Sequence, residues 1–350
     1  MKSKILVLAL AFLGLAFLAQ TSRRSAAAGP ARVIAPPNES EVELTVVEKG
    51  VTYKLYRGEL YRVNAATGKW EFVEQIYHPD FYAKNYVERD GAIFRKGQDG
   101  QRVPVRRSLT ENFEHAQTLR DLIGLERGWT GFTLQSPKTP TVKDYVALRK
   151  RILKGESDFL DNRVEPSSGQ AHSGKGALKT VSLPSAPGMV CAKAELDSEL
   201  LHFGKGDDVW FSGWYLVPEG SAMPFTLMDL ETTWIKESPG MRIAISGSYA
   251  AFQLKWGAHP YYRQPRGREV PFPAGRWVHL KAHLKLSDKE DGVIELWQDE
   301  VKIIDARGQT LPLAHTIYNS LEIGITAYNA GPNPAILYVD DVAISDRPLD

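Results

Sequence analysis

The sequence predicts a mainly β protein: a two-sheet antiparallel jelly-roll sandwich preceded by a small β-module and two short helices. Three observations point there. From Trp277 to Leu286, Trp277, His279, Lys281, His283 and Lys285 alternate with Val278, Leu280, Ala282, Leu284 and Leu286. That period of two is a half-buried strand. A charged turn from Ser287 to Gly292 follows, and Val293, Glu295 and Trp297 alternate with Ile294 and Leu296, which makes a hairpin. Beyond Gly155, strand signals separated by turn residues recur to Ile344, the density of a sandwich.

The divisions expected are 1–28 for a leader or anchor, 29–41 for a linker, 42–107 for the β-module, 108–126 for a helical connector and 127–350 for the jelly roll. Lys2 and Lys4 precede an apolar run from Ile5 to Ala19, the length of a signal peptide, and Ala26 to Ala28 offer a cleavage site. Arg23 and Arg24 leave an uncleaved anchor open, and only then is a membrane a partner. An extracytoplasmic location follows: periplasmic, secreted or cell-surface. In the module, Tyr53 to Val63 and Trp70 to Val73 read as short strands around an Asn64–Gly68 turn, and a similar unit returns at Ala92 to Val105. Ser108-Leu109-Thr110-Glu111 has the spacing of a capping box and predicts a helix ending at Gly124; a second helix is expected from Thr141 to Lys154, stopped by Gly155.

The chain of 350 residues is 43% hydrophobic and 24% charged with formal net charge +1, which argues against a dedicated nucleic-acid binder. The single cysteine, Cys191, excludes an intramolecular disulfide.

Several stretches carry a resemblance: D-N-R-V-E at Asp161 to Glu165, H-S-G-K at His172 to Lys175, W-F-S-G-W-Y-L-V-P at Trp210 to Pro218, P-A-G-R-W-V at Pro273 to Val278, D-G-V-I-E-L-W at Asp291 to Trp297, and L-Y-V-D-D-V-A-I-S at Leu337 to Ser345. Together they resemble the concanavalin A-like jelly rolls of polysaccharide lyases of the glucuronan-lyase and heparin-lyase type, over roughly the last 190 residues, the size of one such sandwich. The resemblance implies β-elimination on an acidic polysaccharide. Where such lyases show a Gln-x-His-like pair on the third long strand, this chain has Met228-Asp229-Leu230-Glu231-Thr232.

Candidate site residues fall into groups. Asp229 and Glu231 share a strand face about 6.6 Å apart, a carboxylate pair that fits acid–base work in a glycosidase. Laminarinase-like hydrolases carry E-x-D-x-x-E there, and Leu227 and Thr232 break that pattern. A basic face offers Lys255, His279, Lys281 and His283, with Arg242 and Gln253 on neighbouring strands. Elimination needs a uronate carboxylate neutralised and a base for the adjacent proton; lysine or arginine fits the first task and histidine the second. His279 and His283 stand about 13 Å apart on a strand, too far to share zinc through bonds of about 2 Å. Tyr261, Tyr262 and Arg266 lie in an aromatic and arginine-rich run suited to stacking on sugars and pairing with their carboxylates. No cofactor is required. A structural Ca²⁺ is open at Asp340, together with a carbonyl near Asp161, against a turn-capping role. The expected partner is a polysaccharide containing uronic acids. The expected function is an exported polysaccharide-binding protein and lyase, with a non-catalytic lectin-like module as the alternative and a glycoside hydrolase behind it.

Overall fold

The computed structural model describes residues 32–97, 100–256, 259–329, 331 and 333–349. The expected leader, with its apolar run and cleavage site, and residues 29–31 of the linker lie outside them. No helix among the described residues is long and apolar enough to cross a membrane. The chain is mainly β, and it divides into two compact units.

The first unit comprises the chain up to Arg102 together with Thr232–Pro239 and Leu254–Pro260. The 29–41 range contributes a short strand to it, and the last two segments fall in the range expected to be jelly roll. Five antiparallel strands form a meander, with Val33–Ile34 beside Trp70–Gln75, then Glu59–Val63, Val51–Tyr56 and Leu44–Glu48. Two-residue turns at Lys49-Gly50 and Arg57-Gly58 have positive φ at both positions, the backbone that matches strand twist in tight hairpins. Leu55, Leu60, Tyr61 and Trp70 are its buried core. A three-stranded sheet follows, and Ile235 bridges to Tyr77 while Trp234 stacks on Phe81 at 5.3 Å.

The second unit holds the rest of the chain and is the expected jelly roll. One sheet has seven strands, in the order Gly131–Thr133, Ala192–Ser198, Ser320–Tyr328, Thr226–Glu231, Gly240–Ser246, Tyr249–Leu254 and Tyr261–Tyr262. The other has eight. Seven run in the order Arg163–Ser167, Ala177–Ser182, Ala335–Ser345, Asp208–Leu216, Trp277–Lys285, Gly292–Gln298 and Val301–Gly308. The eighth, Ser108–Glu111, pairs with the far half of Ala335–Ser345. As the alternation predicts, Val278, Leu280, Ala282 and Leu284 are buried and Trp277, His279, Lys281 and His283 half-buried. The apolar faces of the two sheets meet, so their polar faces point in opposite directions.

Ser108–Glu111 corrects an expectation. Its S-x-x-E spacing predicts a helix start, yet the four residues are a strand with Leu109 and Glu111 buried. Pairing with Val342–Ser345 outweighs a local cap. Helix is confined here to one turn, Leu119–Leu122, after Thr118. The second expected helix forms over Val142–Lys154, with a capping box between Thr141 and Asp144 and a left-handed stop at Gly155.

The facing sheet comes close at Gly324. Its φ is +114°, and a Cβ there would lie 2.8 Å from the Ala194 carbonyl oxygen and 2.9 Å from Cγ2 of Thr180 in the facing sheet. Gly324→Ala is expected to lower stability by about 1–3 kcal/mol through overpacking alone, with backbone strain added. A denaturant midpoint shift checks it.

Candidate functional site

The outer face of the seven-stranded sheet carries a row of charged side chains. Asp197 lies opposite Glu322, Glu322 opposite Asp229, and Asp229 opposite Arg242, so one rung crosses four strands. Directly paired residues project to the same side. Lys193 and Glu195 share the face of Asp197 by alternation along Ala192–Ser198. Arg149 and Tyr145 come from helix Val142–Lys154, which packs beside the edge strand Gly131–Thr133.

Opposite charges hold the row in place. Arg242 donates to both oxygens of Asp229 at 2.8 Å each, the bidentate fork that best satisfies a buried carboxylate. Lys193 Nζ donates to Glu322 at 2.6 Å. Arg149 lies 3.6 Å from Asp197, which also accepts from the Thr130 hydroxyl at 3.2 Å. Single carboxylate oxygens of Asp229, Glu231 and Glu322 lie within 4.8 Å of one another, a spacing that could hold a cation. Lys193 and Arg242 already supply positive charge to two of the three.

Burial decides the protonation states. Glu195 is fully buried, neither oxygen makes a well-formed hydrogen bond among the described residues, and the nearby Thr133 side chain offsets its burial only slightly. Burial first, then Glu322 and Asp197, push its pKa well above the carboxylate range, so it holds its proton. Burial and then Glu199 raise Asp197 to about 7, against the pull of Arg149. Burial alone would drive Lys193 towards neutrality, but Glu322, Glu195, Glu231 and Asp229 raise its pKa well above the ordinary value. Burial raises Tyr145, with Lys193 the main opposing charge, so its phenol stays protonated at neutral pH. The face thus carries a carboxylate able to take a proton near pH 7 and fixed cations, and the helix beside it a phenol able to give one.

The structure brings together only part of the set predicted from sequence. Asp229, Glu231 and Arg242 belong to this face. His279, His283 and Lys281 lie on the outer face of the other sheet, so they do not share a groove with Asp229 and Glu231. There His283 is held between Asp208 at 2.9 Å and Glu295 at 2.7 Å and stacks on Trp210. His279 bonds Ser212 and Glu300 and stacks on Trp214, which His172 covers from 3.6 Å. Lys281 donates to the Leu349 carbonyl. Lys255 lies in the first unit. Gln253 pairs with Tyr261, which is 39% exposed and carries the Arg263 guanidinium over its ring at 4.6 Å. Tyr262 is half-buried and packs over Gly308, while Arg266 sits in an exposed turn. Asp340, expected either to cap a turn or to hold a structural Ca²⁺, accepts the backbone N–H groups of His172, Ser173 and Asp341 through its oxygens.

Five residues of the face, Tyr145, Arg149, Lys193, Glu195 and Asp197, escaped the sequence reading, as did Glu322. One signal was available: in A-K-A-E-L-D-S, from Ala192 to Ser198, the three charges alternate with apolar residues.

A polysaccharide lyase family model matches residues 140–343, which include every titratable residue named on this face. Among solved structures, the chain is similar to an endo-β-1,4-glucuronan lyase from the fungus Trichoderma reesei, at 16% identity and a TM-score of 0.43, covering 54% of this chain and 89% of that one. It is similar to the cellulose induced protein Cip1 at 18% identity and a TM-score of 0.41, covering 54% and 88%. It is also similar to the alginate lyase Aly36B at 11% identity and a TM-score of 0.41, covering 70% and 99%. No curated protein matches.

Proposed function

Because the chain belongs to the polysaccharide lyase family, we propose that it cleaves a uronic-acid polysaccharide by β-elimination on the outer face of the seven-stranded sheet. The observation that carries this reading is the buried row in which Asp197, poised at about pH 7, lies 3.6 Å from Arg149, with Lys193 on the neighbouring Glu322 and Tyr145 one helical turn from Arg149. In a uronate the C5 proton becomes acidic once the adjacent carboxylate is neutralised. Lys193 and Arg149 supply that positive charge, and the protonated Glu195 adds a hydrogen-bond donor. Asp197 takes the C5 proton, the C4–C5 double bond forms, the C4–O4 bond breaks, and Tyr145 gives its proton to O4. The next turnover needs the proton returned from Asp197 to the phenolate, through water or directly.

Hydrolysis by Asp229 and Glu231 is the weaker reading, because Arg242 holds both oxygens of Asp229. The reaction as drawn uses no cofactor. The leader expected at residues 1–28 would place it outside the cytoplasm, where such polymers occur.

The test is incubation with glucuronan, alginate and heparin-type polymers while following ultraviolet absorbance, since elimination leaves a double bond conjugated to the carboxylate and hydrolysis leaves none. A rise on at least one polymer is expected. Binding with neither absorbance nor new reducing ends would make the protein a lectin-like module; reducing ends without absorbance would make it a hydrolase. His283→Ala is expected to leave the elimination rate unchanged while lowering the melting temperature, because it strips a partner from Asp208 and Glu295 on the opposite face. A rate loss without a change in stability would return the base to His283.

A further inference from the structure

A second site lies at a seam in the eight-stranded sheet. Strand Ala335–Ser345 changes partner along its length: Ala177–Ser182 pairs with it as far as Val339, and Ser108–Glu111 takes over from Val342. Two strands meeting end to end against a third leave a gap. At the gap Asp341 has φ +47°, and the buried Phe113, just past the second strand, has φ +59°. Neither is glycine, and such backbone persists only where its surroundings hold it. The gap is an open cleft of about 500 Å³, within the range of small-ligand sites.

Thr110, Glu111, Asn112, His115, Arg127 and Asp341 line it, and Val342 and Ala343 add an apolar wall. Its two carboxylates are fixed in advance. Glu111, only 8% exposed, accepts from the Phe113 N–H at 2.8 Å and the Trp129 indole at 3.2 Å. Asp341 accepts from the Ser173 hydroxyl at 2.8 Å and meets His172 Nδ1 at 2.7 Å. A carboxylate has about four acceptor positions, so each can take further donors. The cleft therefore offers two oriented acceptors, a hydroxyl, an amide and a short apolar wall. Its fixed charges are two carboxylates, Glu111 with the His115 ring at 3.6 Å and Asp341 with the His172 ring at 2.7 Å, and the Arg127 guanidinium, a balance that does not favour an anion.

We infer that this cleft is a binding site for a neutral sugar residue, on the sheet opposite the charged row. It is carried by residues 110–127 and 341–343, of which the first group precedes the family match, and it does not depend on the elimination reading.

The Trp129 indole N–H reports on it directly, because that group bonds Glu111. The experiment titrates the ¹⁵N-labelled protein separately with glucose, mannose, galactose, xylose, sodium glucuronate and CaCl₂, with the indole signal assigned through Trp129→Phe. The expected result is a saturable shift with at least one neutral sugar, at a Kd of about 1–10 mM, weakened at least tenfold by Asp341→Asn and by the exposed Asn112→Ala. Both variants should retain wild-type ultraviolet activity on polymer, which separates this site from the charged row. No saturation by any neutral sugar, tighter binding of glucuronate than of all four, a response to Ca²⁺ alone, or saturation that neither variant weakens would overturn the inference.

Discussion

Asp197→Asn should lower the elimination rate by about 10²–10⁴, the usual contribution of a positioned base, while making the protein more stable at pH 8. The two effects share one cause. Burial raises Asp197 from an ordinary 3.8 to about 7. Between those values the folded chain keeps a proton that the unfolded chain has released, so stability falls as pH rises through that window. The penalty is absent below the lower value and complete above the higher one. Asparagine removes it. The thermal midpoint of the variant should therefore exceed wild type by more at pH 8 than at pH 5, and wild-type kcat/KM should climb with pH through about 7 as the base form appears. A variant with wild-type rate, or a wild-type profile flat across pH 6–8, would exclude Asp197 as the base.

Lys193→Met should be the most destabilising single change in the row, by about 3–5 kcal/mol, the cost of leaving one partner of a buried pair alone. Glu322 would lose its 2.6 Å donor, and Glu231 and Asp229 a shared cation. Methionine keeps most of the side-chain volume, so the loss reports charge and not a cavity. Adding Glu322→Gln to Lys193→Met should recover part of it, which a double-mutant cycle of urea midpoints would measure. A double-variant loss equal to the sum of the Lys193→Met and Glu322→Gln losses would mean that the pair contributes no coupling.

How much of this was legible in the sequence depends on the range of the interaction concerned. Alternation is local, so the strand at Trp277–Lys285 and its buried set could be read directly. Helix Val142–Lys154 was equally plain, because Thr141, Asp144 and Gly155 form its ends from neighbouring residues. Ser108–Glu111 misled because one four-residue pattern satisfies both a capping box and a two-residue period. The deciding partner, Val342–Ser345, is more than two hundred positions away. The same limit separated His283 from Asp229. Each could be assigned a polar face, but the face belongs to a sheet, and sheet membership is set by distant pairing. Lys193, Glu195 and Asp197 displayed their alternation openly, yet their chemistry comes from being buried together against Glu322, which no local pattern announces.

The placement of Ala335–Ser345 bears on how the molecule is made. This strand lies inside the eight-stranded sheet, bonded on one side to Asp208–Leu216 and on the other to Ala177–Ser182 and then Ser108–Glu111. Three stretches emerging from the ribosome long before it must wait with open hydrogen-bonding edges until residue 345 is synthesised. This sheet therefore closes only once residues 335–345 have emerged, and slowly, as expected when distant pairings dominate. A ribosome stalled before residue 335 would hold a chain with no closed sandwich, prone to edge-to-edge association and open to holdase chaperones and proteases.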